Sequence, residues 1–294
     1  MVRPKHFGYN TETAVNNEFQ SKPGEDRSIL AGRAVAEFDH MVGILRNEGV
    51  HVEVVPDSDR LSSPDAVFPN NWISTHSNGA MITYPMFAEN RRAERREDII
   101  EILQKKFGFT RRYSLEQYES QGIFLEGTGS LVLDRLQEVA YACLGPRTDP
   151  TLLDKWCVLT GYDRFIFQAE EPPGSPIYHT NVMMSIGTRF AVVCLESITD
   201  STVRSELVRK LSLERTVIPI ERGQMQAFAG NILELRGRKD HPLIVMSSQA
   251  FKAYSGDQRD LLSQFGKIIH IPIDTIEYVG GGSTRCMIAE LFVN

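Results

Sequence analysis

Apolar positions recur at three- and four-residue steps from Ser28 to Asn47, where Ala31, Ala34, Val35, Phe38, Met41, Val42 and Leu45 share one side and Gly49 supplies a stop. This spacing predicts a helix with one buried face. His51 to Val55 alternates as a strand closed by Pro56, and a short β-branched run ending in proline returns at Thr216–Pro219 and Ile268–Pro272. Five further segments begin with a polar or small residue and run into a short apolar strand: Asn71-Trp-Ile-Ser, Glu126-Gly-Thr-Gly-Ser-Leu-Val-Leu, His179-Thr-Asn-Val-Met-Met, Asn231-Ile-Leu-Glu-Leu and Cys286-Met-Ile-Ala-Glu-Leu. Their first residues fall 52 to 55 positions apart. Four are followed by a second apolar run (Ala80–Tyr84, Val139–Leu144, Phe190–Leu195, Leu243–Met246) and then by a helical stretch (Asn90–Phe107, Thr148–Leu159, Asp200–Leu211, Gln249–Phe265). So regular a period predicts an α/β protein in which five units pack in a closed ring, a five-fold pseudosymmetric α/β propeller forming a single domain over residues 1–294. The fifth unit lacks its second strand, and Arg3 to Tyr9 is expected to supply it. The alternative is an ordinary α/β protein with evenly spaced strands.

The composition, 41% hydrophobic and 24% charged over 294 residues, is sufficient for a full core. With 32 Lys and Arg against 38 Asp and Glu, the net charge of -6 gives no basic field for nucleic acid or anionic lipid. No run approaches the roughly 20 apolar residues that span a bilayer, the N-terminus lacks the apolar centre of a signal peptide, and no Asn-x-Ser/Thr sequon occurs. Cys143, Cys157, Cys194 and Cys286 form no CxxC pair and no close cluster with histidine, which argues against zinc or iron–sulfur. These features predict a cytoplasmic protein with reduced thiols and with neither nucleic-acid nor membrane partners; a homo-oligomer is compatible with them.

If the five openings are equivalent they converge near the axis of the ring, bringing a carboxylate, an imidazole and a thiol together as Glu126, His179 and Cys286. A thiol attacks as thiolate, an adjacent imidazolium lowers its pKa and later gives a proton to a leaving amine, and a carboxylate orients the imidazole or holds substrate nitrogens. Each residue also has a structural alternative. Cys286 follows the glycines of Gly280-Gly-Gly-Ser-Thr-Arg and fits core packing, as do the other three cysteines; His179 fits a satisfied core histidine and competes with His6, His40, His51, His76, His241 and His270; Glu126 fits a turn. Only the common phase of the three sets them apart. Gly127-Thr128-Gly129 begins like a dinucleotide loop but has Val132 where the third glycine belongs, and no Walker A, GxSxG or HExxH sequence occurs. Arg91, Arg92, Arg95 and Arg96 alternate with Glu94, Glu97 and Asp98, the pattern of a solvated helix face rather than an RNA patch.

Six motifs in this order resemble the guanidino-group-modifying superfamily, the pentein fold of arginine deiminases, dimethylargininases and amidinotransferases. They are Pro64-Asp-Ala-Val-Phe68, Asn90-Arg91, Glu126-Gly-Thr-Gly129, Gly145-Pro-Arg-Thr148, His179 and Gly280-Gly-Gly-Ser-Thr-Arg-Cys286. The resemblance covers nearly the whole chain. It implies the five-fold propeller already inferred, no metal or organic cofactor, and a small ureido or guanidino amino acid as partner. By it Cys286 is the nucleophile, His179 the general acid and base, and Glu126 the carboxylate that grips substrate nitrogens and positions the imidazole. Asp65 resembles a substrate-binding carboxylate. Arg91, with Arg92 as its alternative in register, and Arg147 resemble the arginines that hold the substrate carboxylate or order the site, a task for which a planar fork of donors is suited.

Two departures bear on the substrate. Asn70 and Asn71 stand where relatives that act on a guanidinium place acids, and His179-Thr180-Asn181 replaces His-x-Asp. An amide both donates and accepts, matching the C=O and NH2 of a neutral ureido group. The pattern resembles the citrulline-utilisation hydrolases and predicts citrulline as substrate, cleaved to ornithine, ammonia and carbon dioxide through a covalent S-linked intermediate. A deiminase or dimethylargininase, an amidinotransferase, and the non-catalytic ribosome anti-association factor of the same fold are the alternatives. Arg60 to Pro64 and Glu170 to Pro176 are the segments expected to cover the pocket.

Overall fold

The computed structural model describes residues 1–59, 63–171 and 174–292. Four of the repeats fold into three-stranded sheets of one topology. In each, the first two strands are antiparallel and the third runs parallel to the second: Ile73–Thr75, Ala80–Thr83 and Arg111–Ser114; Leu131–Asp134, Val139–Cys143 and Asp163–Phe167; Met184–Ile186, Phe190–Val193 and Thr216–Pro219; Leu233–Arg236, Pro242–Ser247 and Lys267–Ile271. Parallel neighbours need a crossover. Helices supply it at Glu97–Phe107, Pro150–Thr160 and Ser201–Leu211, and a pair, Ser248–Ala253 and Gly256–Ser263, does so in the fourth unit.

The fifth unit is assembled from distant parts of the chain. Val2–Arg3 pairs in parallel with Val55–Pro56, and the helix Arg27–Asn47 crosses between them. Near its carboxyl end the chain runs beside the first sheet, with Thr75 Oγ1 donating to the Glu290 carbonyl at 2.7 Å. The closing strand is therefore Val2–Arg3 rather than Arg3–Tyr9, because Pro4 offers no N–H to extend the pairing. For the same reason of short pairing, the strand expected at His51–Val55 shrinks to Val55–Pro56.

Local signals account for where the helices begin and break. Asp26, Asp149 and Asp200 each accept hydrogen bonds from backbone N–H groups of the first turn that follows, at 2.7 to 3.2 Å. The stretch expected at Asn90–Phe107 divides into a 3-10 segment, Glu89–Glu94, and the helix Glu97–Phe107. That at Gln249–Phe265 breaks where Ser255 and Gln258 form a capping box. Leu30, Ala34, Phe38, Met41, Val42 and Leu45 of the long helix are buried, each contributing about 1.5–3 kcal/mol where a large side chain leaves water.

The openings themselves are turns rather than strand starts. One helical turn, Gly127–Ser130 or Thr180–Met183, separates Glu126 and His179 from their strands; Pro69–Asn71 is a 3-10 turn, and Cys286 lies in a turn with no strand after it among the described residues. Glycine lets these turns meet. Gly127 has φ +48, and a Cβ there would lie 2.3 Å from the Asn70 carbonyl oxygen; a Cβ on Gly230 would lie 2.3 Å from that of Val182.

Gly127→Ala is expected to destabilise the protein by about 3 kcal/mol, since left-handed backbone and overlap with a neighbouring turn both oppose the new methyl group. Gly223→Ala, where a Cβ meets nothing within 4 Å, is the control and should leave stability within about 0.5 kcal/mol. Equilibrium urea unfolding measures both; equal midpoints would mean that the turns are not closely packed.

Candidate active site

At the axis the structure brings Glu126, His179 and Cys286 together with Asn71, Asn181 and Asn231, all at most 3% exposed. Glu126 is the most heavily bonded. Its Oε1 accepts the Phe87 backbone N–H at 2.9 Å, and its Oε2 accepts His179 Nε2 at 2.8 Å and Arg147 Nη1 at 3.4 Å. Burial alone would raise its pKa, but the Arg147 charge, the His179 hydrogen bond and the Arg91 charge together hold the carboxyl well below the usual carboxylate range. An ionised carboxylate only accepts, so Nε2 of His179 carries the proton and Nδ1 is the nitrogen left to exchange one. Burial pushes the imidazole down to about 4 despite Glu126.

Cys286 Sγ is approached by Asn231 Nδ2 at 3.3 Å and Asn181 Nδ2 at 3.5 Å. Burial raises the thiol above its ordinary value, and the Ser283 backbone, the Asn231 amide, Arg285 and the Asn181 amide pull it back in part. Burial thus favours the uncharged form of both groups. Asn231, which also donates to the Asn181 carbonyl at 2.8 Å, was not among the sequence-derived candidates. Its signal was present, since it opens the fourth repeat in the same phase as the other four. The remaining cysteines behave as core thiols: burial raises Cys143 to about 12 and Cys157 to about 11.

The Asp65 to Asn71 segment forms one wall. Asp65 Oδ2 accepts Asn10 Nδ2 at 2.8 Å and Thr13 Oγ1 at 3.2 Å and lies 3.8 Å from Arg91. Arg91 is clamped by Glu94 at 2.9 and 3.0 Å and donates to Asn71 Oδ1 at 2.8 Å and the Phe68 carbonyl at 3.2 Å. Arg147 donates to Glu126, to Asn16 Oδ1 at 3.0 Å and to the Thr13 carbonyl at 3.0 Å, and stacks over Tyr178. Both guanidinium groups thus already meet protein acceptors in this structure. Arg92, the alternative in register, instead binds the Met86 carbonyl and Glu119.

Several buried polar atoms here have no partner among the described residues: Asp65 Oδ1, both ends of the Asn70 amide, Asn71 Nδ2 and Asn181 Oδ1. Leaving such a group unpaired costs about 1–3 kcal/mol, so these five atoms carry hydrogen-bonding capacity that the described residues do not use. The site is covered by residues 10–21, a strap that also bonds Gly281, Val279 and Tyr278 carbonyls through Asn17, Gln20 and Ser21. Of the two covering segments expected from sequence, residues 60–62 and 172–173 lie outside the described residues. A cavity of about 570 Å³ is lined by Asp134, Arg215, Glu234 and Arg285 among others and, of the described residues of this cluster, includes Asn181.

Tight turns that carry these side chains to the axis of a five-unit α/β ring define the pentein class of arginine-modifying enzymes. The family described as "N,N dimethylarginine dimethylhydrolase, eukaryotic" matches residues 3–293, and the chain belongs to it. No curated protein sequence matches the chain. Among solved structures, ArgZ, an arginine dihydrolase from the ornithine–ammonia cycle in cyanobacteria, superposes with a TM-score of 0.77 at 17% identity over 100% of this chain, which spans 40% of that longer protein. The substrate-bound N-terminal domain of ArgZ gives 0.75 at 17% identity, covering 100% of this chain and 98% of that one. A dimethylarginine dimethylaminohydrolase adduct gives 0.64 at 14% identity, covering 97% and 98%. At these identities the likeness is one of fold.

Removing the Asn231 amide is expected to raise the Cys286 thiol further, because its hydrogen bond favours the thiolate. Thiolate absorbance followed through an alkaline titration, with Cys286→Ser subtracted, should place the midpoint of Asn231→Ala above that of the parent. An unchanged midpoint would exclude Asn231 from positioning the sulfur.

Proposed function

We propose that the protein is a cysteine hydrolase of guanidino amino acids that converts arginine to ornithine in two hydrolyses, with citrulline as the intermediate. The observation that carries this reading is the set of unpaired polar atoms around Cys286, which offers a carboxylate oxygen together with amide donors and acceptors. Three buried carboxylates, Asp65, Glu94 and Glu126, face two guanidinium groups, Arg91 and Arg147, so the fully ionised site is one negative charge in excess and favours a cation. Burial raises the Asp65 carboxyl, and Glu94 to about 7; an arriving guanidinium would complete their ionisation.

That cation also lowers the barrier to forming the thiolate beside it. As Cys286 attacks the guanidino carbon its thiol proton passes to Nδ1 of His179, and that imidazolium returns the proton to the departing nitrogen, which leaves as ammonia. His179 next takes a proton from water as it displaces the sulfur, giving citrulline, while Glu126 stabilises the imidazolium in both transition states. Citrulline is neutral and needs partners that both donate and accept, which Asn70, Asn71 and Asn181 supply. A second round releases ammonia and a carbamic acid that breaks down to ornithine and carbon dioxide. The family description also raises dimethylarginine, whose methyl groups would leave the same amide atoms unpaired and are disfavoured for that reason.

Product analysis with arginine, citrulline, dimethylarginine and agmatine tests the reading. Ornithine and ammonia from both arginine and citrulline, with arginine the faster, are expected, and Cys286→Ala should lower either rate at least about 10³-fold. Turnover of dimethylarginine in preference to arginine would overturn the substrate assignment, and undiminished turnover by Cys286→Ala would overturn the mechanism.

A further inference from the structure

The strap over the active site has a second face. There, Glu18 and Phe19 wall a cavity of about 300 Å³ whose other sides carry Glu171, Phe228, Glu277 and Tyr278. Three of these six residues are carboxylates, the rest of the lining is Ser21 and two glutamines, and no lysine or arginine contributes to it. Glu171 is 6% exposed and Glu277 1%, and among the described residues Glu171 Oε1 and Glu277 Oε2 lack a well-formed hydrogen bond, with the Arg222 charge near Glu171 and the Ser247 hydroxyl near Glu277 as their only further support. Their other oxygens accept from Gln226 Nε2 at 3.5 Å and Ser283 Oγ at 2.6 Å. Phe19 meets Phe228 at a centroid distance of 5.2 Å and so adds aromatic surface beside the acids.

Two buried carboxylates with unsatisfied oxygens, a third at the rim and aromatic rings nearby form the environment in which a cation is held by charge-assisted hydrogen bonds and ring faces. Among the described residues no group of three or more histidine, cysteine or acidic side chains is arranged to hold a metal ion. We propose that this cavity binds a small organic cation, an ammonium or guanidinium group on a short chain, and that the bound molecule ties the strap to the helix Asp274–Gly280. Its walls belong to both: Glu18 and Phe19 to the strap, Glu277 and Tyr278 to the helix. The inference rests on the proposed function only in that the basic amino acids of that reaction belong to the required class. Burial raises both acids, Glu277 to about 7, and an arriving cation would reverse this.

Calorimetric titration of the full chain carrying Cys286→Ala with arginine provides the test. Two arginines per chain are expected, falling to one when Glu171→Gln and Glu277→Gln are added. If arginine does not enter the Cys286 site, the first protein binds one and the second none, so failure of the proposed function is told apart from failure of this inference. Citrulline, similar in size but without the side-chain cation, should not fill the cavity. Glu18→Gln alters only an exposed side chain and should weaken the same site about 3- to 10-fold. Arginine should also slow hydrogen exchange at the Ser21 amide, which donates to the Tyr278 carbonyl at 2.7 Å, in the Cys286→Ala protein but less in the triple variant. Equal arginine stoichiometry with and without the two glutamines would overturn the site, and equal protection of Ser21 would overturn the tie.

Discussion

A fully buried carboxylate that must stay ionised is the constraint around which the centre of this molecule is arranged. Glu126 has no solvent exposure, and isolated in such a place it would take up a proton. Arg147, the His179 N–H and the Phe87 backbone keep it charged, and each partner needs support of its own. Arg147 is held by Thr13 and Asn16, and His179 packs against Tyr178, whose hydroxyl is fixed to the Gly281 carbonyl at 2.6 Å. The charge on one glutamate thus reaches from the first residues of the strap to the glycines before Cys286. A buried ion network of this kind gives little net stability, but losing one member leaves an uncompensated charge.

The two arginines are drawn into the same network. Free at a pocket wall, Arg91 or Arg147 would be a suitable fork for a carboxylate. Here three buried acids lie within reach before any ligand arrives, and the guanidinium groups answer to them. Asn70, Asn71 and Asn181 are in the opposite position: uncharged and buried, with the Asn70 amide unbonded at both ends among the described residues and the other two bonded at one, they are left with atoms to offer. In this site the groups with bonding capacity to spare are the amides, not the cations.

Much of this was legible in the sequence because a ring of equivalent units writes its symmetry as a period. The spacing of Asn71, Glu126, His179, Asn231 and Cys286 located the axis, and hydrophobic patterning located the long helix to within a residue at its start. Asn231 was passed over because an amide carries no chemistry by itself; only its place beside sulfur gives it a role. The strap could not be read at all. Asn10, Thr13 and Asn16 lie in a polar, aperiodic stretch, and their importance comes from contacts with residues 52 to 134 positions away, which no local pattern records. The helix break at Ser255 is not legible because side-chain capping overrides a continuous apolar rhythm, whereas the break before Glu97 has no side-chain cap to announce it.

Ring closure has a temporal consequence. Most sheets here pair strands that are neighbours in sequence, and such contacts form early at small entropic cost. The last contacts are of another kind: Thr75 meets Glu290 across 215 residues, and Asn17 meets Gly281 across 264. Folding rates fall as such separations grow, so the step that shuts the ring is the slow one. The same long-range contacts hold the strap against the glycines that precede Cys286, so alignment of the thiol depends on closure of the ring and not on any one sheet.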